Sequence, residues 1–336
     1  MIPTRVGTII HGAIGDCYEQ LLAIRLLRRS RKNERWIGFF NSENRLGAMK
    51  HFDLEMLDEI YTHDKISSID VDYFYQFQIK DFELNQDILN KLPGKYREKF
   101  DFDKVVLPWH ILRSHDFKKT GLELTLSDLG KKYVPICMRE NKVDPMIFKN
   151  RLTIGYLWRY RAGGAVGPYL QKSKKWILKT KSELFKKLIT DYNAHIIICG
   201  MNKSRETVSS LPDEVKGLGT FVSGEYLAKF TDYKLDIPGS NCTYLKGYGY
   251  AAEMEIMSRC NLLIMMPSGF SEALWMKRGA AVILVDPPPV YTAKLWYNRM
   301  PFFNNYNPTY AYHNTLIQHT AANVINFLRK QKLINK

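Results

Sequence analysis

A turn that carries two glycines and an acid is the first feature of the chain that could do chemistry. The turn His11-Gly12-Ala13-Ile14-Gly15-Asp16 follows a short β-branched run, and an amphipathic stretch begins at Asp16. Glycines let the backbone take positive φ or pass close to a ligand. The Asp16 carboxylate has two interpretations: an N-cap of the following helix, or a general base that takes a proton from a substrate. His11 is a second candidate base, and the alternative is a buried structural histidine.

A basic, glycine-rich segment in the second half of the chain is the next candidate. Arg159 and Arg161 lead into the glycine-rich residues 162–167, and Lys174 follows them. Arginine binds phosphate oxygens through two parallel hydrogen bonds, and lysine binds them as a point charge. The segment therefore predicts either a site for a nucleotide diphosphate or a solvent-facing basic loop.

A third candidate lies where an apolar run meets Met266-Pro267-Ser268-Gly269-Phe270-Ser271-Glu272. Free amides and the helix dipole at such a strand-to-helix junction bind anions. Capping of the helix by Ser268 is the structural alternative. Glu272 is placed to accept hydrogen bonds from the hydroxyls of a ribose or a sugar.

Strands and helices alternate around these candidates. In the first half, we predict strands at 8–10, 36–40, 59–61, 73–77 and 104–107, and helices at 16–28 and 122–133. The strand–helix–strand start indicates a parallel sheet. A polar stretch before a strong new strand places a domain boundary near residue 150, which gives one domain at 1–150 and a second at 151–336.

The second half has a clearer pattern. We predict strands at 152–158, 195–200, 262–266 and 281–285, and helices at 182–190, 251–259, 268–277 and 315–330. Both halves therefore predict an α/β fold of two facing doubly wound, Rossmann-like domains. Ligands bind beyond the carboxyl ends of the strands in such sheets, where all three candidate segments fall.

Composition narrows the classes of protein. The chain has 336 residues, 45% hydrophobic and 25% charged, which is typical of a globular protein. The apolar runs are shorter than the roughly 20 residues that cross a bilayer, and the first residues lack a signal-peptide pattern, so we expect a cytoplasmic protein. The five cysteines are scattered, which argues against a disulfide framework or a zinc site.

The net charge of +15 indicates anionic partners or a generally basic surface. Nucleic acid, an anionic membrane and phosphorylated small molecules all remain open as partners. The charge is spread along the chain with local clusters such as Arg28-Arg29-Ser30-Arg31-Lys32, and it does not form one arginine-rich tail. Most of the excess therefore fits an ordinary solvated surface.

Six segments of the chain form a pattern in a fixed order. They are Gly15-Asp16, residues 23–28, Lys174-Lys175-Trp176, residues 196–200 with Gly200 at the end, residues 257–264, and Ser268-Gly269. In order and spacing they resemble the heptosyltransferase family and the wider GT-B glycosyltransferases. Pro267 departs from the family pattern, in which an acid precedes the Ser-Gly pair, and Glu272 stands near the family's histidine. The match does not extend to residues 40–140.

The resemblance implies a GT-B-like fold and an inverting, metal-independent glycosyl transfer in polysaccharide biosynthesis. Residues 1–150 would form the acceptor-side domain and residues 151–336 the donor-side domain. Asp16 would be the catalytic base. The donor, a nucleotide sugar, would contact Gly15, Arg159, Arg161, Lys174, Gly200, Ser268, Gly269 and Glu272. The acceptor would be a glycan or lipid-linked hydroxyl, which agrees with peripheral contact at the inner face of a membrane. No cofactor, metal or specific nucleic acid is expected.

Other functions fit the same pattern. A nucleotide-sugar epimerase or a pyruvyl transferase would share the paired domains. A protein that binds nucleic acid or anionic membranes would share the basic charge. The sequence also leaves open whether His110 or His115 assists at the site.

Overall fold

The computed structural model describes residues 2–12, 14–77, 111–112, 123–157, 182–199, 239–245, 250–265, 282–284, 310–311, 320–330 and 332–335. The chain forms two compact units, and the first includes residues up to Lys131, whereas most of the chain from Lys132 onward forms the second. This division lies inside a helix. The functional domain limits at 1–150 and 151–336 stay a prediction.

A four-stranded parallel sheet forms the centre of the first unit. Its strand order is β3-β2-β1-β4, with the bounds Thr4–Ile10 (β1), Glu34–Phe40 (β2), Glu59–Thr62 (β3) and Tyr73–Phe74 (β4). Its helices are Ile14–Ser30 (α1) and Glu43–Met49 (α2), and His63–Lys65 forms a 3₁₀ turn. Helix Asp128–Glu140 (α3) begins in the first unit and continues into the second. Because β2 and β4 lie on opposite sides of β1, the strand order reverses between β1 and β4. Such a switch point is where doubly wound sheets bind ligands.

Strand β1 is central because its sequence can be buried on both faces. The residues from Val6 to Ile10 are all buried, as expected for an inner strand of a parallel sheet. Helix α1 follows after a short turn and ends in Arg28 and Arg29, whose charges suit the negative end of the helix dipole.

Helix α3 begins later than the sequence pattern indicates. The prediction of a helix over 122–133 is wrong in its first part, because residues 123–127 are not helical. The Ser127 backbone N–H donates to the His51 carbonyl oxygen at 3.0 Å, which keeps this segment beside residues 51–53. The Ser127 hydroxyl then accepts from the Gly130 N–H at 3.2 Å, as an N-cap does, and starts the helix.

The second unit contains a six-stranded parallel sheet in the order β7-β6-β5-β8-β9-β10. The strands are Thr153–Leu157 (β5), His195–Cys199 (β6), Cys242–Tyr244 (β7), Leu262–Met265 (β8), Val282–Leu284 (β9) and Tyr310–Ala311 (β10). The helices are Ile147–Asn150 (α4), 182–192 (α5), Tyr250–Met257 (α6) and Ala321–Lys330 (α7), and Gly239–Asn241 forms a 3₁₀ turn. This is the Rossmann order, with its switch point between β5 and β8. The predicted class of two doubly wound α/β domains is confirmed.

Apolar side chains of α5 and α7 cover the middle strands of this second sheet. The rings of Tyr156 and Phe185 meet edge to face with centroids 4.9 Å apart. Val324 and Leu328 of α7 belong to the same core cluster. Cys199 and Cys260 are buried free thiols, which confirms their interpretation as small core residues.

Much of the basic cluster at the end of α1 forms ion pairs. The Arg28 guanidinium lies 2.9 Å from the Asp58 carboxylate. Arg31 pairs with Glu34 at 3.4 Å and also lies over the Tyr75 ring, 5.0 Å from its centroid. This part of the positive charge is therefore neutralised within the first unit, which favours the interpretation of an ordinary surface.

None of the described helices is both long enough and apolar enough to cross a membrane.

Two helical glycines of the first unit provide a matched test of helix packing. A side chain at Gly130 would collide with the backbone carbonyl of His51, whereas a side chain at Gly47 would meet nothing within 4 Å. We expect Gly47→Ala to stabilise the protein by about 0.5–1 kcal/mol, because alanine favours helix. We expect Gly130→Ala to destabilise it by about 1–3 kcal/mol, because the backbone must move. Urea unfolding of both variants measures the difference, and equal shifts would contradict the close approach of α3.

Candidate active site

The turn from His11 to Asp16 lies at the carboxyl end of β1, beside the switch point of the first sheet. Gly12 has φ +94°, a region that side chains rarely adopt. A Cβ atom at Gly12 would also lie 2.8 Å from both Cβ and Oδ2 of Asp16. Glycine is therefore required twice over, by the backbone conformation and by the carboxylate that packs against it.

Asp16 lies in the first turn of α1, not at its N-cap. The helix starts at Ile14, so the prediction that Asp16 opens the helix as its cap is wrong. An acid in the first turn still interacts favourably with the helix dipole. The Asp16 side chain is partly exposed, whereas the neighbouring Gly15 is buried. The carboxylate is thus held at a strand end where it can meet a ligand.

The buried side chain of Gln20 stabilises the turn through hydrogen bonds. Its side chain is fully buried, and its Nε2 donates to the carbonyl oxygens of His11 at 2.8 Å and Asp16 at 2.9 Å. Its Oε1 accepts from the His11 backbone N–H at 3.5 Å. One carboxamide therefore joins both ends of the turn. The sequence did not identify Gln20, because a polar residue in an amphipathic helix ordinarily faces solvent.

Gln76 fixes the other side of the switch point. The prediction of a strand over 73–77 is wrong at its end, because β4 stops at Phe74. Beyond it, the Gln76 carboxamide accepts from the Ile9 N–H at 3.2 Å and donates to the Ile9 carbonyl at 3.1 Å. It also donates to the Phe77 carbonyl at 3.0 Å. A side-chain amide thus continues the pairing with β1 after the backbone pairing has ended.

His11 links the ends of β1 and β4. Its ring is 1% exposed, and Nε2 lies 3.1 Å from the Phe77 carbonyl oxygen. Since a carbonyl can only accept, Nε2 carries the proton. Nδ1 has no hydrogen-bond partner among the residues that the structure describes. Burial lowers the pKa of His11, and the bond to Phe77 opposes this only in part. This geometry favours the structural interpretation of His11 over a second base.

Arg45 brings a positive charge to the same turn. Ser42 caps α2 by accepting from the Arg45 backbone N–H at 3.3 Å, which places the arginine in the first turn of that helix. The Arg45 Nε donates to the Gly12 carbonyl at 2.9 Å. No sequence motif surrounds Arg45, so sequence analysis could not identify it.

Cys17 follows Asp16, but its environment argues against nucleophilic chemistry. The thiol is fully buried, and burial raises its pKa to about 12, with a further increase from the Asp16 charge and an opposing effect of Arg45. A thiol with such a pKa stays protonated at neutral pH and is a poor nucleophile.

The remaining predicted site residues lie outside the described residues. They are Arg159, Arg161, Lys174, Gly200, Ser268, Gly269 and Glu272, together with His110 and His115. In the chain, most of the donor-side residues follow β5, β6 and β8, which end at Leu157, Cys199 and Met265. Within the described part of the chain, no group of three or more His, Cys, Asp or Glu side chains is placed to hold a metal ion.

The network around Gln20 leads to a test of stability. Gln20→Met keeps the side-chain volume but leaves the buried carbonyl of His11 and the partly buried carbonyl of Asp16 without this donor. We expect a loss of about 1–3 kcal/mol in the free energy of unfolding. The control, Arg29→Met, lies on the exposed end of the same helix and should change stability little. Equal stability of Gln20→Met and wild type in urea unfolding would contradict the network.

The burial of His11 predicts a pH dependence of stability. Its folded-state pKa lies below the ordinary value of 6.5, so the unfolded chain takes up a proton first as the pH falls. Stability should therefore be full above about pH 6.5 and decrease below it. We expect His11→Gln to reduce this decrease between pH 7.5 and 5, whereas His63→Gln, at an exposed position, leaves it unchanged. Unfolding free energies across that range provide the measurement, and identical slopes for both variants would contradict it.

Solved structures of glycosyltransferases align with almost the whole chain. Glycosyl transferase family 9 from Veillonella parvula aligns with a TM-score of 0.58 and 12% identity, over 98% of this chain and 97% of that one. ADP-heptose lps heptosyltransferase II from E. coli aligns with a TM-score of 0.51 and 13% identity, over 98% and 99%. No family model matches the sequence, and no curated protein does. At these identities the likeness establishes the fold, and the predicted GT-B-like class is confirmed.

Proposed function

We propose that this protein is a glycosyltransferase that moves a sugar from a nucleotide-sugar donor to an acceptor hydroxyl. The observation that carries the proposal is the Asp16 carboxylate, partly exposed and packed against Gly12 at the switch point of the first sheet. Full-length alignment with two glycosyltransferase structures supports the same class of reaction. The sulfhydryl of Cys17 and the imidazole of His11 are both buried, which leaves Asp16 as the best candidate base in this turn.

The proposed reaction is an inverting displacement. Asp16 takes the proton of the acceptor hydroxyl, while the oxygen of that hydroxyl attacks the anomeric carbon of the sugar. A new C–O bond forms as the bond between that carbon and the diphosphate oxygen breaks, and the nucleotide diphosphate leaves with the electron pair. A positioned base of this kind contributes about 10²–10⁴-fold to the rate.

The donor is proposed to bind beyond the carboxyl ends of β5 and β8. The complete Rossmann strand order of the second unit supports a nucleotide at this edge. Arg159, Arg161 and Lys174 would stabilise the departing diphosphate in place of a metal ion. The amides at Ser268 and Gly269 would add to this, while Gly200 and Glu272 would contact the nucleoside or sugar.

The acceptor is proposed to be a glycan or lipid-linked hydroxyl, bound on the side of the first unit. The net charge of +15 supports contact with an anionic surface such as the inner face of a membrane. A transfer to such an acceptor would belong to polysaccharide biosynthesis.

Asp16→Asn tests the base directly. The variant keeps the size of the side chain but cannot take the hydroxyl proton, so we expect at least a hundredfold loss of transfer with donor binding unchanged. The donor is found first by thermal shift against UDP-, GDP-, ADP- and CMP-sugars, since a ligand at 100 times its Kd adds about 2.7 kcal/mol of stability. Acceptor-dependent release of nucleotide diphosphate then measures turnover.

Asp128→Asn is the matched control, because Asp128 is also an acid in the first turn of a helix but is fully exposed. It should keep full activity. Unchanged turnover of Asp16→Asn would remove Asp16 as the base. Conversion of the donor sugar without any acceptor would instead indicate an epimerase.

A further inference from the structure

Two arginines from distant parts of the chain contact the turn Tyr192-Asn193-Ala194 between α5 and β6. The Arg151 guanidinium donates to the carbonyl oxygens of Asn193 at 3.2 Å and Ala194 at 3.0 Å. The Arg329 Nε donates to the Tyr192 hydroxyl, and the guanidinium carbon lies 5.7 Å from the centre of the Tyr192 ring. Since consecutive Cα atoms are about 3.8 Å apart, this short turn holds both positive charges within one small area.

Two lysines add to this charge at the end of α7. Lys330 is the last residue of the helix, and the Lys332 backbone N–H donates to the Arg329 carbonyl oxygen at 2.9 Å. Lys332 has φ +56°, and the following Leu333 packs against the core of the second unit, which fixes this end of the chain segment. Both lysines are exposed. We call Arg151, Arg329, Lys330 and Lys332 the basic patch.

No carboxylate pairs with the basic patch within the described part of the chain. Its two arginines donate to carbonyl, amide and hydroxyl oxygens, which carry no net charge. Asp191 is exposed just before the turn but forms no ion pair with the patch. Residues 287–336 contain no aspartate or glutamate. The basic cluster at the end of α1 differs, because there Arg28 pairs with Asp58 at 2.9 Å.

The basic patch lies at the amino end of the second sheet. Arg151 comes before β5, and the turn comes before β6. In a parallel sheet these ends lie on the edge opposite to the carboxyl ends, where the donor is proposed to bind. At about 3.3 Å per residue, β5 separates the two edges by roughly 17 Å. The patch is therefore distinct from the proposed donor site.

The chemistry of the patch fits anionic lipid headgroups. Each lysine or arginine that lies near an anionic bilayer strengthens binding about fivefold. A site for single-stranded nucleic acid instead needs aromatic faces on which the bases stack. The Tyr192 ring at the patch is already in contact with the Arg329 guanidinium. Charge without a free aromatic face favours a lipid surface over nucleic acid.

We propose that the basic patch binds the protein to the surface of an anionic bilayer. This inference rests on the proposed function, in which the acceptor is linked to a lipid, and it names the face of the second unit that contacts the membrane. The contact is electrostatic, because the apolar side chains of α7 are buried in the core of the second unit. Such binding is reversible and decreases with ionic strength.

Sedimentation with vesicles tests the basic patch on the full-length protein. One set of vesicles contains phosphatidylcholine alone, and the other contains phosphatidylcholine mixed with phosphatidylglycerol. We expect binding to the mixed vesicles only, with a decrease at high salt. The double variant Lys330→Gln/Lys332→Gln should weaken this binding about 25-fold, fivefold for each charge. Lys330→Arg/Lys332→Arg keeps both charges and should bind as the wild type does.

A second double variant separates the patch from the net charge. Arg29→Gln/Lys32→Gln also removes two exposed positive charges close to the end of a helix. It should change vesicle binding little, because salt screens charges that lie far from the bilayer. Equal weakening by the two glutamine variants, or no binding of the wild type to mixed vesicles, would overturn the proposal.

Competition with a single-stranded oligonucleotide examines the other polyanion. Displacement of the protein from mixed vesicles by a low concentration of the oligonucleotide, abolished in Lys330→Gln/Lys332→Gln, would assign the patch to nucleic acid and overturn the lipid proposal. None of these measurements involves sugar transfer. The proposed function fails separately, if vesicle binding depends on the patch while no nucleotide sugar is turned over.

Discussion

The contact between the Asp16 carboxylate and the backbone of Gly12 is the constraint on which the candidate site depends. It requires a residue without a side chain at position 12 and a backbone with positive φ. In return it places a charged side chain over the end of a central strand, where the strand order reverses. Because the turn is so tight, covalent geometry and packing set the position of the Asp16 carboxylate, and its side chain has little freedom to adopt other rotamers.

Hydrogen bonds from two glutamines connect the turn to the sheet. Gln20 binds the turn from the helix side, and Gln76 binds β1 from the side of β4. In each case a neutral side-chain carboxamide, which can both donate and accept, makes the hydrogen bonds that a backbone amide makes in regular secondary structure. Buried polar side chains with satisfied bonds of this kind favour one arrangement of the turn over its alternatives.

The sequence predicted the fold well where the signal was periodic and local. The β-branched run at Ile196, Ile197 and Ile198 indicated a buried strand, and the turn ending in Asp16 was visible as glycines before an amphipathic helix. The start of α3 was missed, because a cap at Ser127 depends on its contact with the distant His51. Local periodicity contains no information about such a contact.

The candidate site was predictable only in part for the same reason. Asp16 stood out through its neighbours in sequence, whereas Arg45 contacts Gly12, which lies 33 positions earlier in the chain. The sequence prediction included Gln76 in a strand. An extended residue that binds the neighbouring strand through its side chain has the same sequence pattern as a residue that binds it through its backbone. These roles arise from topology, which brings the ends of β1, β2 and β4 together.

The use of carboxamides around the turn has a consequence for its response to pH. Amides do not titrate, and burial lowers the pKa of His11 below its ordinary value. Among the three buried side chains Gln20, Gln76 and His11, only the imidazole can therefore change its charge. Above about pH 6.5 the hydrogen bonds that hold the turn keep one protonation state, and any loosening of the turn by acid begins at this one ring.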